Sequence, residues 1–339
     1  MLDWATTAVK ENYMRRFNSF ITLAGLALIA SSLTALTQTA FAQVYPFKPI
    51  RLIVPFAPGG PSDQAARTIG QALSKSLGQP FVIENRPGAD GAIAAQTLRN
   101  ASPDGYSLLF SGAPMIPLAL LKNPPPFDVQ ADFAPVARVT RLVWGMFVSP
   151  HVPAASLTEL IAHARASPTR LSYASSNLIE FLAASQFMKG TGTNMLRVPY
   201  KGAGQAMPDL LAGRVHVMFA PLSAGLAYLP TGQLRLLAML TPERSQFAPD
   251  VPTLTEAGIL EISIPGWQGI LAPAKTPKNV IATLHTAIER ALQDPEVRTQ
   301  LERQAVLVDM STADQLSATI AADMRTWAEF LRENPLTNE

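Results

Sequence analysis

The stretch LIVPFAPGGPSDQAARTIGQAL, residues 52–73, carries the plainest chemical potential in the chain. Its apolar start breaks at Pro58-Gly59-Gly60, and Ser62-Asp63 then open an amphipathic segment. Gly59 and Gly60 present no side chains, so a ligand can approach the main chain closely. Ser62 or Asp63 can cap the helix that follows. The free N–H groups of a first helical turn attract an anion, helped by the helix dipole. Gly88-Ala89-Asp90-Gly91 repeats the design after the next apolar stretch. Either bend alone is equally a plain strand-to-helix turn. Two in succession favour a site for a small anion, most simply a carboxylate. Further on, Ser175-Ser176-Asn177 either cap a helix or bind a carboxylate. Tyr200-Lys201-Gly202 again follow a strand, and Lys201 is either solvated or a ligand contact. Asp209 and Arg214 are expected to pair or cap rather than bind.

Groupings for covalent or metal chemistry do not occur in the sequence. There is no cysteine, which excludes disulfide scaffolds, thiolate metal sites and cysteine nucleophiles. His151, His163, His216 and His285 are isolated, with no helix-spaced pair. There is no G-x-S-x-G elbow, P-loop or G-x-G-x-x-G. No catalytic residue, metal or cofactor is therefore assigned. A hydrolase or isomerase using cleft carboxylates remains the less favoured alternative, with Asp63, Glu84, Asp90 and Asp104 as the candidate acids.

These loops need a scaffold to hold them, and the sequence predicts alternating strands and helices. Strands are expected over 51–57, 81–84 and 106–111, with helices over 63–77 and 91–98 between them. Strand–Gly turn–helix units imply parallel pairing by right-handed crossovers, which places both Gly turns at one carboxyl edge. A second alternation has helices at 157–166, 179–189, 205–211 and 224–229, with strands at 171–175, 196–199, 215–219 and 234–240. Residues 262–271 read as a strand. Two long helices close the chain, 280–304 (interrupted at Asp294-Pro295) and 313–331. Leu316, Ile320, Met324, Trp327 and Leu331 form one stripe of the last helix, a core face. The Pro-rich stretch 124–143 and the stretch 241–264 read as irregular crossings between two domains. A double crossing returns the last helices to the first domain and leaves a cleft between two α/β lobes.

The chain has 339 residues, 48% of them hydrophobic and 15% charged. That is ample for a large core and favours two domains. Basic and acidic residues nearly balance, 27 against 25, and no basic stripe appears, so a nucleic-acid partner is not expected. Residues 1–42 read differently. Met14-Arg15-Arg16 gives a positive start, residues 20–36 are apolar, and Ala40-Phe41-Ala42 supplies small residues two apart. This is the pattern of a secretory signal cut after Ala42, and the apolar run is short of the ~20 residues of a membrane span. The protein is expected in the periplasm.

Residues 45–51 (YPFKPIR), then VPFAPGGPSD, VIENRPGADGAIAA, SPDGYSLLF, VPYKGAGQAMPDLLAGRVHVMF and PTLTEAGI, in that order, strongly resemble the Bug/TctC family. These are the extracytoplasmic solute receptors of tripartite tricarboxylate transport systems, and the likeness covers residues 43–335. It implies the type II periplasmic-binding-protein fold, two α/β lobes closing on a ligand like a flytrap. Lobe I is then 43–145 with 265–339, and lobe II is 146–264. It further implies that a small organic carboxylate is captured, partly through ordered water, and delivered to a membrane permease by a monomeric receptor, with no reaction. A ligand-sensing module for a membrane kinase is the alternative. By position, the resemblance carries ligand contacts onto Phe56, Ala57, Pro58, Gly59, Gly60, Ser62 and Asp63, and onto Gly88, Ala89, Asp90 and Gly91. Ser111, Ser175, Ser176, Asn177, Tyr200, Lys201 and Gly202 complete the expected pocket.

The chain departs from the family pattern in the second lobe. YASSNLIEFLAAS, residues 173–185, is about two residues short, lacks the usual glycines and has Phe181-Leu182 where a His-Leu pair is typical. Ala220 stands where an acidic residue is often found, and Asp90 replaces a small one. These changes predict a ligand without an ammonium group and with fewer carboxylates than citrate.

Overall fold

The computed structural model describes residues 44–121, 124–166, 171–259 and 266–333. The expected signal segment, residues 1–42, lies outside them, as do residues 262–265 of one expected strand.

Two sheets organise the chain. The first begins with β1 (Ile50–Val54), α1 (Pro61–Leu77), β2 (Phe81–Asn85), α2 (Ala92–Arg99) and β3 (Ser107–Gly112). β1 pairs in parallel with both β2 and β3, as the two crossover units predict. α3 (Met115–Leu121) and β4 (Phe133–Leu142) follow. The second sheet is built from β5 (Trp144–Val148), α4 (Leu157–Ala166), β6 (Ser172–Ser175), α5 (Leu178–Thr191), β7 (Leu196–Pro199), α6 (Ala203–Leu211), β8 (Val217–Pro221) and β9 (Arg235–Met239). The chain then returns to the first sheet with β10 (Trp267–Pro273), α7 (Lys278–Gln293), α8 (Pro295–Arg303), β11 (Val306–Val308) and α9 (Ala313–Glu333). Strand orders are β11-β4-β10-β3-β1-β2 and β7-β6-β8-β5-β9.

Several expectations need correction. The Pro-rich stretch 124–143 is not irregular throughout. Its second half is β4, the longest strand, paired antiparallel with both β10 and β11. Pro135 sits in it opposite Leu271, beside a register shift in the pairing, where a missing N–H is tolerated. The helix expected at 224–229 is two 3₁₀ turns, Leu222–Ala224 and Leu226–Tyr228, held to short pieces by Gly225 between them. The strand expected from 215 begins at Val217.

Leu52, Ile53, Val54, Leu108 and Phe110 of the first sheet are fully buried, as are Met146, Phe147, Val217 and Phe219 of the second. Residues alternate poorly because both faces are covered, as parallel α/β sheets require. α1 packs on α7 and on β2, and α9 packs on β4 and α3. Leu316, Ile320 and Trp327 of α9 are buried, the core face its stripe predicts. The chain passes between sheets at Val143, where Leu142 N–H donates to Gly266 O (2.6 Å) and Leu222 N–H donates to Val143 O (2.7 Å). Both crossings are thus stitched together beside the same cleft.

Candidate functional site

Segments of both sheets converge on one cavity. From the first sheet come Phe56, Gly60 and Ser62 after β1, and Ser111, Gly112 and Pro114 after β3. From the second come Ser176, Asn177 and Glu180 after β6, Ala203 opening α6, and Pro221 ending β8. The two crossings add Leu142, Trp144, Gly266, Trp267 and Gln268. The empty space of the cavity, counted with its solvent-open mouth, is roughly 560 Å³. None of the described lining residues is a lysine, arginine or histidine.

The bend after β1 is held from behind. The Asp63 carboxylate accepts the Gly59 N–H (3.0 Å), both Arg67 donors (2.9 Å each) and Asn85 Nδ2 (2.9 Å). Asn85 also donates to Phe56 O (3.0 Å). Burial pushes the Asp63 carboxyl up, but Arg67, the Gly59 amide and Asn85 outweigh it and hold it below the ordinary carboxylate range. Asp63 is therefore a brace for the loop. The amides of Gly60, Ser62 and Asp63 have no acceptor within the described residues. They are free first-turn donors at the start of a 17-residue helix, the arrangement that favours an anion.

A relay of side chains sets the Ser62 hydroxyl. Thr140 Oγ1 donates to Gln268 Oε1 (2.9 Å), and Gln268 Nε2 donates to Ser62 Oγ (2.9 Å). Thr140 and Gln268 are buried, at 0% and 4% exposure. Because Ser62 Oγ already accepts from Gln268, its own proton is left to donate toward an acceptor in the cavity.

Across the cleft, Ser176-Asn177 and Glu180 close on each other. Asn177 Oδ1 caps α5 by accepting the Glu180 N–H (3.0 Å). Glu180 reaches back to accept the Ser176 N–H (2.5 Å) and the Ser176 hydroxyl (3.0 Å). This is a capping box displaced by one residue. Burial drives the Glu180 carboxyl up to about 7, against the pull of Ser176, Asn177 and Arg197. Ser175 Oγ donates to Asn177 O (3.2 Å) and is buried. At the crossing, the Trp267 indole N–H donates to Asp323 (2.6 Å), whereas the buried Trp144 Nε1 has no partner.

The structure sorts the residues expected from sequence into groups. Phe56, Gly60, Ser62, Ser111, Ser176 and Asn177 line the cavity. Ala57, Gly59, Lys201 and Gly202 lie instead where the two sheets' loops touch. Ala57 N–H donates to Lys201 O (3.3 Å), and a Cβ on Gly202 would stand 3.2 Å from Ala57 N. Pro58 lies in the same bend, outside the cavity lining. Tyr200 donates its hydroxyl to Asp209 (2.6 Å), which Arg214 also holds (2.7 Å), the pairing expected of those two. Gly88, Ala89, Asp90 and Gly91 do not line the cavity, and two nearby amides are occupied, Gly91 N–H by Gly88 O and Ala92 N–H by Ala89 O. All four residues have positive φ, a tight left-handed turn in which the glycines are unstrained and Ala89 is not.

Sequence reasoning missed Glu180, Gln268, Trp144 and Thr140. The spacing Asn177-x-x-Glu180 is a capping-box signal that points to Glu180. The other three carry no local signal, because crossing strands bring Gln268 and Trp144 to the cavity, and Thr140 behind Gln268, from far along the chain.

Residues 65–336 match the family model of the tripartite tricarboxylate transporter family receptor. The chain belongs to this family. The receptor is 35% identical to the protein BugT of Bordetella pertussis over 319 residues, covering 93% of this chain and 94% of BugT. Among solved structures, it resembles a periplasmic transporter at 34% identity and a TM-score of 0.83, covering 86% of this chain and 99% of that one. It also resembles MatC from Rhodopseudomonas palustris with bound malate, at 28% identity and a TM-score of 0.80, covering 84% of this chain and 99% of that one. The receptor therefore has the two-lobed α/β fold of periplasmic binding proteins. No helix among its described residues is long and apolar enough to cross a membrane.

Proposed function

We propose that this receptor captures a small organic carboxylate between two lobes in the periplasm and hands it to a tripartite-type membrane permease. The lobes are 43–145 with 265–339, and 146–264, and residues 1–42 are the export signal removed after Ala42. One observation carries the reading. The unpartnered amides of Gly60 and Ser62, with the Ser62 hydroxyl, belong to residues lining a cavity that both sheets wall in. Such donors match a carboxylate's two oxygens and need no counter-charge. The malate-bound relative supports the same class. The Ala57–Lys201 bond and the close approach of the Gly59-Gly60 and Gly202-Gly204 backbones describe a closed cleft. A ligand favours this state by touching both lobes at once. No reaction is invoked, and no described cluster of three or more His, Cys, Asp or Glu residues is placed to hold a metal ion.

A thermal-shift screen against mono-, di- and tricarboxylates tests the reading. A true ligand at a hundred times its dissociation constant adds about 2.7 kcal/mol of stability. A screen in which neutral sugars or amines stabilise the protein and no carboxylate does so would sink it.

A further inference from the structure

We propose that the cavity selects a monocarboxylate carried on an apolar body, with the Trp144 indole N–H as an additional donor to the bound acid. This rests on the receptor reading and narrows its ligand class. The lining decides the charge. No cationic side chain is present among the described lining residues, so the ligand's charge is met only by amides, hydroxyls and the helix dipole. Those donors gather at the start of α1, which suits one carboxylate. Opposite them stands Glu180, 2% exposed, with both oxygens already accepting from Ser176. A second ligand carboxylate on that side would meet carboxyl oxygens already engaged with Ser176 and no cation among the described lining residues. Burial already disfavours ionisation of Glu180 itself, and a nearby dianion would disfavour it further.

The walls decide the body. Phe56, Pro114, Leu142, Trp144, Pro221 and Trp267 contribute apolar surface. A charged group placed against them would lose hydration without replacement bonds, whereas a ring or branched alkyl group would be favoured there.

Trp144 supplies the specific feature. It is 2% exposed, lines the cavity, and its indole nitrogen has no acceptor. Buried tryptophan N–H groups are normally satisfied, as that of Trp267 is by Asp323. Trp144 lies at the crossing, between the lobes, so a ligand acceptor that completes it also ties the hinge to closure.

Calorimetric titration of the purified protein with benzoate, isovalerate, malate and citrate tests this, together with Trp144→Phe. Benzoate or isovalerate is expected to bind at least tenfold more tightly than malate or citrate. Trp144→Phe, which keeps an aromatic ring and removes the donor, is expected to weaken the monocarboxylate at least tenfold, about 1.4 kcal/mol. Should the variant not fold, the Trp144 indole proton resonance of the native protein provides the same test, and it is expected to move downfield on ligand addition. Malate or citrate binding as tightly as the monocarboxylates overturns the proposal and leaves the receptor reading standing. Unchanged affinity in Trp144→Phe, or an unmoved indole resonance, overturns the role of Trp144. If none of the four acids binds, the ligand class and the receptor reading fall together.

Discussion

Glu180 is a buried carboxyl whose environment departs far from its ordinary one. Its carboxyl, normally near 4.5, is pushed up to about 7 by burial. The folded protein therefore keeps a proton that the unfolded chain releases. Stability falls as pH rises between those values and is level above them, a loss on the order of 3 kcal/mol. Arg197, the nearby cation, pulls the other way and is outweighed. Glu180→Gln mimics the protonated form, since its amide can donate to the Ser176 hydroxyl. Urea titrations from pH 4 to 8 are expected to show stability falling more steeply with rising pH in the native protein than in the variant; parallel profiles would refute this account. Asp63 acts in the opposite sense. Its carboxyl is held below the ordinary range, so its contribution is complete above that range and fades as pH falls through the lowered value. Asp63→Ala strands the Gly59 amide and Asn85 and is expected to destabilise by about 2 kcal/mol, measured by thermal unfolding at pH 7. Ala89, with φ of 48°, carries strain that Ala89→Gly relieves, and a gain of about 1 kcal/mol is expected in the same measurement.

At the scale of elements, the bend after β1 was legible in sequence because its chemistry is local. A strand, a Gly-Gly break and a polar first turn occur within a dozen residues. The structure retains its free amides while showing Asp63 turned to bracing. The bend after β2 carries the same local signal and lies outside the cavity lining, and nothing in its own residues distinguishes the two. β4 went unread because proline-rich flanks and register shifts hide a strand whose partners, β10 and β11, arrive more than a hundred residues later. Gln268, on β10, is similarly silent in sequence. Its position between Thr140 and Ser62 gives it a measurable role. Gln268→Leu keeps the shape, frees Ser62 from its donor and lets its hydroxyl proton turn away. Ligand affinity is expected to fall about tenfold, the worth of one hydrogen bond to a charged group, by calorimetry. An unchanged affinity would show that Ser62 needs no orientation.

At the scale of the molecule, closure depends on backbone meeting backbone. A Cβ on Gly204 would stand 3.2 Å from both Gly59 C and Gly60 N, closer than comfortable van der Waals contact. Gly204→Val is expected to wedge the cleft open without altering a cavity-lining side chain. Its radius of gyration with ligand should stay at the ligand-free value in solution scattering, with affinity lowered at least tenfold. Full compaction in the variant would contradict a closed state built on this contact. By itself the sequence determined the α/β alternation, the parallel pairing within each unit, the first anion-seeking bend and the family, because each is written in neighbouring residues or in their order. Only the tertiary structure decided which loops wall the cavity, that no described cation faces it, and that Glu180, Gln268 and Trp144 belong to it. Those outcomes depend on where two crossings and two sheets bring distant residues together, and spacing along a chain does not encode distance across a cleft.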